Sequence, residues 1–345
     1  MTAGRRIAAV IAVAAATVLA SVPADAQTRT YYVAADEVLW NYVPSATHMA
    51  TGQALLPLFP LQLARTVHKL VYREYTDATF RTLRERSADD AYLGFTGPIM
   101  HAEVGDTIVV TFKNNGPVPV DVEPMGGIVA PKCAPIPTGK IATYHWSVPE
   151  SAGPSPTETS SRLDLYGPNA DHPGAAMYAG LLGAIVVTRA GEARADGSPK
   201  DVDKEVFIGF RELNEAQSAL LKQNLADPRT NPMKVKGRVT AMIPFNFTVS
   251  LNGFSYGTMP MVTLRRGERV RWYLFDGYAD GDAHIPTWNG QTVVWDGHRG
   301  DSVTLGATDT EIADMVPDDP GVWLLYCTLN IHLENGMSAR YTVTP

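Results

Sequence analysis

Apolar and polar residues alternate with a period of two along most of this chain. Thr107–Phe112 (TIVVTF), Leu182–Thr188 (LGAIVVT), Arg269–Phe275 (RVRWYLF) and Arg340–Thr344 (RYTVT) are β-branched or aromatic runs bounded by Gly, Pro or Asn. That pattern predicts strands, because successive side chains of a strand point to opposite faces. Helical signals are few. Gln53–Leu70 carries Leu55, Leu56, Leu61, Leu63 and Val67, but Pro57 and Pro60 break its first half. Glu215–Leu225 has apolar residues near helical spacing and predicts a short surface helix.

The two halves repeat. Ala102-Glu103-Val104-Gly105-Asp106-Thr107 leads into IVVTF, and Leu264-Arg265-Arg266-Gly267-Glu268-Arg269 leads into VRWYLF, about 160 residues later. Each half then reaches a short turn ending in Gly (EPMG at 123–126, TWNG at 287–290), a Val-Pro element (Val148-Pro149, Val316-Pro317) and a Gly-led final strand (Gly180, Gly336). Two such units predict an all-β chain of two tandem β-sandwiches. The boundaries expected are 28–190 and 204–345, joined by the polar Gly/Ala/Asp/Ser stretch 191–203.

Residues 1–26 stand apart. Arg5-Arg6 precede an apolar, Ala-rich run from Ile7 to Val22, which ends in Ala24-Asp25-Ala26 before Gln27. A basic start, a short apolar stretch and a small-x-small site predict a cleaved export signal, through either the general or the twin-arginine route. No later segment is apolar for long enough to span a bilayer as a helix. A periplasmic or secreted protein is therefore expected. The formal net charge of −7 offers no basic face to displace the counterions of nucleic acid.

With only 2 Cys the chain cannot build a disulfide framework, a four-thiolate zinc site or an iron–sulfur cluster. One of them nevertheless opens a distinctive run, Cys327-x4-His332-x4-Met337, between the last two predicted strands. His284 follows the strand VRWYLF and a Gly/Asp-rich turn. One thiolate, two imidazoles and a weak thioether point to a blue-copper site: the soft thiolate favours Cu(I), and imidazole suits both oxidation states. Trp323, Leu324, Leu325, Leu329 and Ile331 are expected to keep water out. Other readings exist. Cys327 and Cys133 would be the partners of a disulfide, and Met337 and His332 taken singly would be core and satisfied polar side chains. In the first half, Glu123, Met125, Cys133 and His145 form a second candidate metal group, against solvated and packed side chains as the plain alternative.

YYVAADEVLWNYVP (31–44), EYTDATF (74–80), LGFTGPIMHAEVGDTIVVTFKN (93–114), NGFSYG (252–257) and RWYLFD (271–276) resemble the ceruloplasmin/hephaestin branch of the multicopper oxidases, in its two-domain, bacterial-type form. The resemblance covers nearly the whole mature chain and is weakest at 46–72. It implies two tandem cupredoxin domains, which are Greek-key β-sandwiches, with one type 1 copper held by His284, Cys327, His332 and Met337. It also implies a trinuclear copper cluster that reduces oxygen, built from four His-x-His pairs. Here the sequence departs from the family. Those positions read Glu123-Pro124-Met125, Gly167-Pro168-Asn169, Thr287 with Asn289, and Tyr326 with Thr328. The four pairs and the two type 1 histidines together need more than the 8 His present.

Asp276, Asp280 and Asp282 precede His284, and Glu334 lies next but one to His332. They read either as a soluble loop or as a negative rim that steers a cation or a basic redox partner. The expectation is an exported electron carrier with one copper per chain, reduced by a small donor or a redox partner protein, and without oxygen reduction. The alternatives are a working ferroxidase, cuprous oxidase or phenol oxidase with a divergent cluster, and a non-redox interaction module on the same fold. Two-domain members assemble around the cluster, so a homotrimer is the assembly the resemblance implies.

Overall fold

The structure, a computed structural model, describes residues 26–168, 174–236, 239–277 and 282–345. Most of the export signal, the Asn169 and His172 positions and Asp280 lie outside the described residues. The first half contributes β1 (Thr28–Asn41), β2 (Thr66–Tyr75), β3 (Ile99–Glu103), β4 (Thr107–Asn114), β5 (Glu123–Pro124), β6 (Ile141–Ser147), β7 (Ser161–Gly167) and β8 (Gly183–Thr188). They form two sheets, ordered β2-β1-β4-β6 and β3-β8-β7-β5. The second half contributes β9 (Lys204–Asn214), β10 (Phe247–Leu251), β11 (Val262–Arg265), β12 (Val270–Asp276), β13 (Pro286–Trp288), β14 (Val293–Trp295), β15 (His298–Gly300), β16 (Thr310–Met315), β17 (Gly321–Cys327) and β18 (Ser338–Thr344). Their sheets run β10-β9-β12-β16-β14-β15 and β11-β18-β17-β13.

The repeat seen in sequence is a repeat of pairing. β1 runs parallel to β4, and β9 runs parallel to β12. β3 and β8 are parallel, as are β11 and β18. The turn that starts each unit has the same cause. Gly105 and Gly267 take φ of 99° and 81°, where a Cβ is unfavourable. Their N–H groups donate to Val148 O and Pro317 O, each at 2.8 Å, so the Val-Pro element closes the turn in both halves.

Burial follows the alternation. In β4, Ile108, Val110 and Phe112 are buried, and Thr107, Val109 and Thr111 are partly exposed. β12 is buried along its whole length instead. Trp272 packs edge-on to Trp288 and Tyr341 in the core of the second sandwich. On the opposite face Tyr273 stacks on Phe207 at 4.7 Å, and its hydroxyl meets Ser161 Oγ of the first half at 2.7 Å. Apolar packing is continuous across this seam, from Leu163 and Val186 to Phe207 and Tyr273.

Three expectations are corrected. Gln53–Leu70 forms no helix: its proline-bearing half is irregular, and Thr66 onward is β2, paired antiparallel with β1. β-branched Thr66, Val67 and Val71 fit that pleat better than a helix. Glu215–Leu225 yields a one-turn 3₁₀ segment, Glu215–Gln217, and a helix, Leu221–Ala226. The helix lies at the surface, with Lys222 and Ala226 exposed and Asn224 turned inward, but it is shorter than the predicted span, whose first part is buried at Glu215, Ala216 and Leu220. EPMG and TWNG open on short strands, β5 and β13, and in TWNG the predicted turn follows at Asn289-Gly290.

Candidate metal centre

Three strand ends build the centre. β13 pairs with β17 so that Pro286 opposes Cys327 and Thr287 opposes Tyr326. His284 lies just before β13 and is tied to Leu305 by two backbone hydrogen bonds of 2.8 and 3.0 Å. Cys327 closes β17, and its N–H donates to Met337 O at 3.1 Å. The chain between them folds into a single helical turn, Asn330–Glu334, which turns His332 inward. Met337 N–H then returns to His332 O at 2.9 Å. Gly336 takes φ of 102° to make that return, and a Cβ there would lie 2.8 Å from Tyr256 N.

The result is convergence. His332 Nδ1 is 3.2 Å from His284 Nδ1 and 3.4 Å from Cys327 Sγ, and Cys327 Sγ is 4.0 Å from His284 Nδ1. Ligands about 2.0 to 2.3 Å from one ion, spread at about 120°, would stand about 3.6 to 3.8 Å apart. The donor set and its spacing therefore fit a thiolate and bis-imidazole metal site. All three side chains are buried, and so is Met337. Ile285 N–H also points at Cys327 Sγ, at 3.4 Å.

The far nitrogens of the two imidazoles meet carboxylates. Nε2 of His332 is 2.7 Å from Glu212 Oε1 and 3.4 Å from Asp282 Oδ2. Glu212 is buried on β9, whereas the Asp282 side chain is 56% exposed, so Asp282 stands between this buried imidazole and the surface. Nε2 of His284 lies 3.9 Å from Asp276 Oδ1, with both groups fully buried. The electrostatics differ accordingly. Burial and the neighbouring His332 push His284 down to about 4. Burial also opposes charge on His332, but hydrogen bonds with Cys327 and Glu212 outweigh it and raise the imidazole to about 10.

The acidic rim changes composition. Asp276 does not belong to it: as the last residue of β12 it is buried, and burial pushes its carboxyl up to about 6. Asp282 is at the surface, Glu334 is exposed and takes no part in the hydrogen bonds around His332, and Asp280 lies outside the described residues. Glu212 was missed. Its signal was present as a charged pair, Arg211-Glu212, interrupting the apolar run VFIGF. Leu325 is buried, but Ile331 is 63% exposed and cannot shield the centre.

No disulfide joins Cys133 and Cys327. Cys133 sits in the first half, its N–H donating to Glu123 Oε1 at 2.5 Å, and burial pushes its thiol up to about 12. His145 is exposed on β6 and Met125 is 37% exposed, so the second candidate group does not converge. Among the described residues, two groups of three ligand-type side chains come together: His284–Cys327–His332 and Glu212–Asp282–His332. The positions where the family places cluster histidines are cross-strand neighbours, Glu123 opposite Gly167 and Thr287 opposite Tyr326. None carries an imidazole.

Comparison with known proteins agrees with this architecture. A family model described as multicopper oxidase matches residues 277–345. Ceruloplasmin of Homo sapiens is 33% identical over 91% of this chain and 32% of its own length. Hephaestin of Mus musculus is 32% identical over 91% of this chain and 28% of its own. Ferroxidase HEPHL1 of Homo sapiens is 33% identical over 92% and 29%. The chain thus spans about a third of the length of these curated relatives. Among solved structures, the blue copper oxidase from Nitrosomonas europaea superposes with a TM-score of 0.57 at 14% identity, over 92% of this chain and 86% of that one. A second, titled multicopper oxidase, gives 0.55 at 14% identity, over 92% and 88%. At that identity the likeness shows the cupredoxin sandwich fold alone.

Proposed function

Because this chain belongs to the multicopper oxidase family, on its ceruloplasmin/hephaestin branch, we propose that it is an exported electron carrier with one type 1 copper per chain. The observation that carries this reading is the buried convergence of His284 Nδ1, His332 Nδ1 and Cys327 Sγ, in a chain whose cluster positions hold no histidine. His284, His332 and Cys327 would hold the copper, with the buried Met337 thioether as the weak fourth ligand. Copper in that setting supplies one-electron chemistry. The protein's part is to hold the ligands apart at nearly fixed distances, through the β13–β17 ladder and the Gly336 turn, so that little rearranges between oxidation states. Glu212 keeps the His332 imidazole oriented, and electrons enter on the side of this imidazole that Asp282 covers. Asp282 there attracts a cationic donor or a basic face of a redox partner protein.

The Glu212–Asp282–His332 group also favours a second reading, oxidation of Fe(II), since paired carboxylates suit a hard divalent cation. Oxygen uptake separates the two. A carrier takes up none when Fe(II) is added, whereas an oxidase with a divergent cluster consumes it in proportion. The primary test is the spectrum of purified protein with Cu(II). The expected result is one copper per chain and a thiolate charge-transfer band at roughly 600 nm, lost in Cys327→Ser. A colourless protein, or four coppers per chain, would overturn the proposal. Export to the periplasm or outside the cell is part of the same reading, and recovery of mature protein beginning near Gln27 tests it.

A further inference from the structure

Asp276 is held in a way its position in the fold does not require. Its N–H donates to Asp309 O at 3.0 Å, and Thr308 N–H donates to its Oδ2, also at 3.0 Å. To present that N–H, Thr308 adopts φ of 60°. A β-branched residue rarely takes this left-handed conformation, which is strained unless the surroundings enforce it. One carboxylate oxygen is thereby fixed. The other, Oδ1, is buried without a hydrogen-bond partner among the described residues and lies 3.9 Å from Nε2 of His284, which is buried and likewise without one. Arg211 is fully buried nearby.

We propose that Asp276 is the positioning residue for His284, accepting a hydrogen bond from its Nε2–H when Nδ1 is turned to the metal. This rests on the copper reading above. A closure of under about 1 Å brings the pair to hydrogen-bond distance, fixes the Nε2–H tautomer and raises the electron density on Nδ1. Each imidazole then has its own carboxylate, Glu212 from β9 and Asp276 from the adjacent parallel strand β12. The two have different roles. Glu212 lies beside exposed Asp282 on the donor side, whereas Asp276 is sealed and acts on the metal's reduction potential alone.

The experiment compares copper-loaded wild type with Asp276→Asn, which keeps the shape and an acceptor for Thr308. Loss of the anionic acceptor is expected to weaken Cu(II) binding about 10- to 100-fold relative to Cu(I). That corresponds to a potential higher by about 59 mV per tenfold for one electron. The salt dependence of reduction by a cationic donor should stay as in wild type. Asp309→Asn removes the same charge from an exposed part of the same loop and should leave the potential in place. A second measurement needs no variant: in the Cu(I) protein the Nε2–H proton of His284 should resonate downfield and exchange slowly. If wild type is blue but Asp276→Asn has the wild-type potential, or that proton is absent, the inference is overturned. If wild type is colourless, it is the copper reading that fails.

Discussion

Glu212 Oε1 lies 2.7 Å from His332 Nε2, and both side chains are buried although they come from opposite ends of the second half. A carboxylate on the far nitrogen orients an imidazole and strengthens it as a ligand. Glu212→Gln should therefore lower copper affinity by about 10- to 100-fold, measured by competition with a chelator of known affinity. Unchanged affinity would leave Glu212 with a packing role only.

Gly336 is where the loop turns back between His332 and Met337. Ala at that position would need both an unfavourable φ and a shift of Tyr256, whose backbone N would lie 2.8 Å from the new Cβ. Tyr256 N–H also donates to Gly336 O at 2.7 Å, so the two segments cannot part without losing that bond. Gly336→Ala is expected to weaken or abolish the blue band, with a loss of stability of about 1 to 3 kcal/mol, followed by absorbance and thermal melting together.

Lys69 Nζ is completely buried, 2.5 Å from Glu215 Oε1 and 2.7 Å from Tyr178 O. The Tyr42 hydroxyl donates to the same Glu215 oxygen at 2.6 Å. Lys69→Met leaves a buried carboxylate without its cation and should cost about 3 to 5 kcal/mol. Pairing it with Glu215→Gln should recover part of that loss in denaturant unfolding, and a double variant no better than the single would contradict the ion-pair account.

Acid should loosen the seam between the halves. Asp201 lies 3.2 Å from Arg271 and also accepts from Ser160 of the first half. Partial burial opposes its charge, but Ser160 and Arg271 outweigh that and hold its carboxyl below the usual value. A depressed carboxylate adds stability that is fully present above its unfolded value, about 3.9. That stability is lost as pH falls through the folded value. Melting temperature of the apo protein should drop below about pH 4, and Asp201→Asn should flatten that part of the profile. An identical slope in the variant would exclude Asp201 as a contributor.

The meeting of Cys327 and His332 was legible because they sit on one short loop, where spacing in sequence and in space nearly coincide. The repeat was legible for a similar reason, since Gly105 and Gly267 mark the same turn chemistry. Glu212 was not, because a buried carboxylate on a strand looks like any solvated one until its neighbours are known. Asp276 was misplaced for the converse reason. It ends an apolar strand and begins an Asp/Gly-rich stretch, and only the strained Thr308 loop covering it shows which of the two it belongs to. Gln53–Leu70 is no helix for two reasons: Pro57 and Pro60 break the part that holds most of its leucines, and from Thr66 pairing with β1 takes over.

Arg271 ties the second half to its neighbour through Ser160 Oγ and Ser161 Oγ, at 2.8 and 2.9 Å, from the start of β12, a strand that also carries the sandwich core. Cutting the chain at 191–203 would therefore remove more than a linker. The cut would turn Arg271 and Tyr273 from internal joints into an uncovered face. The second half is thus shaped to its companion as well as to its own core, and the two hydroxyls of Ser160 and Ser161 are part of what completes it.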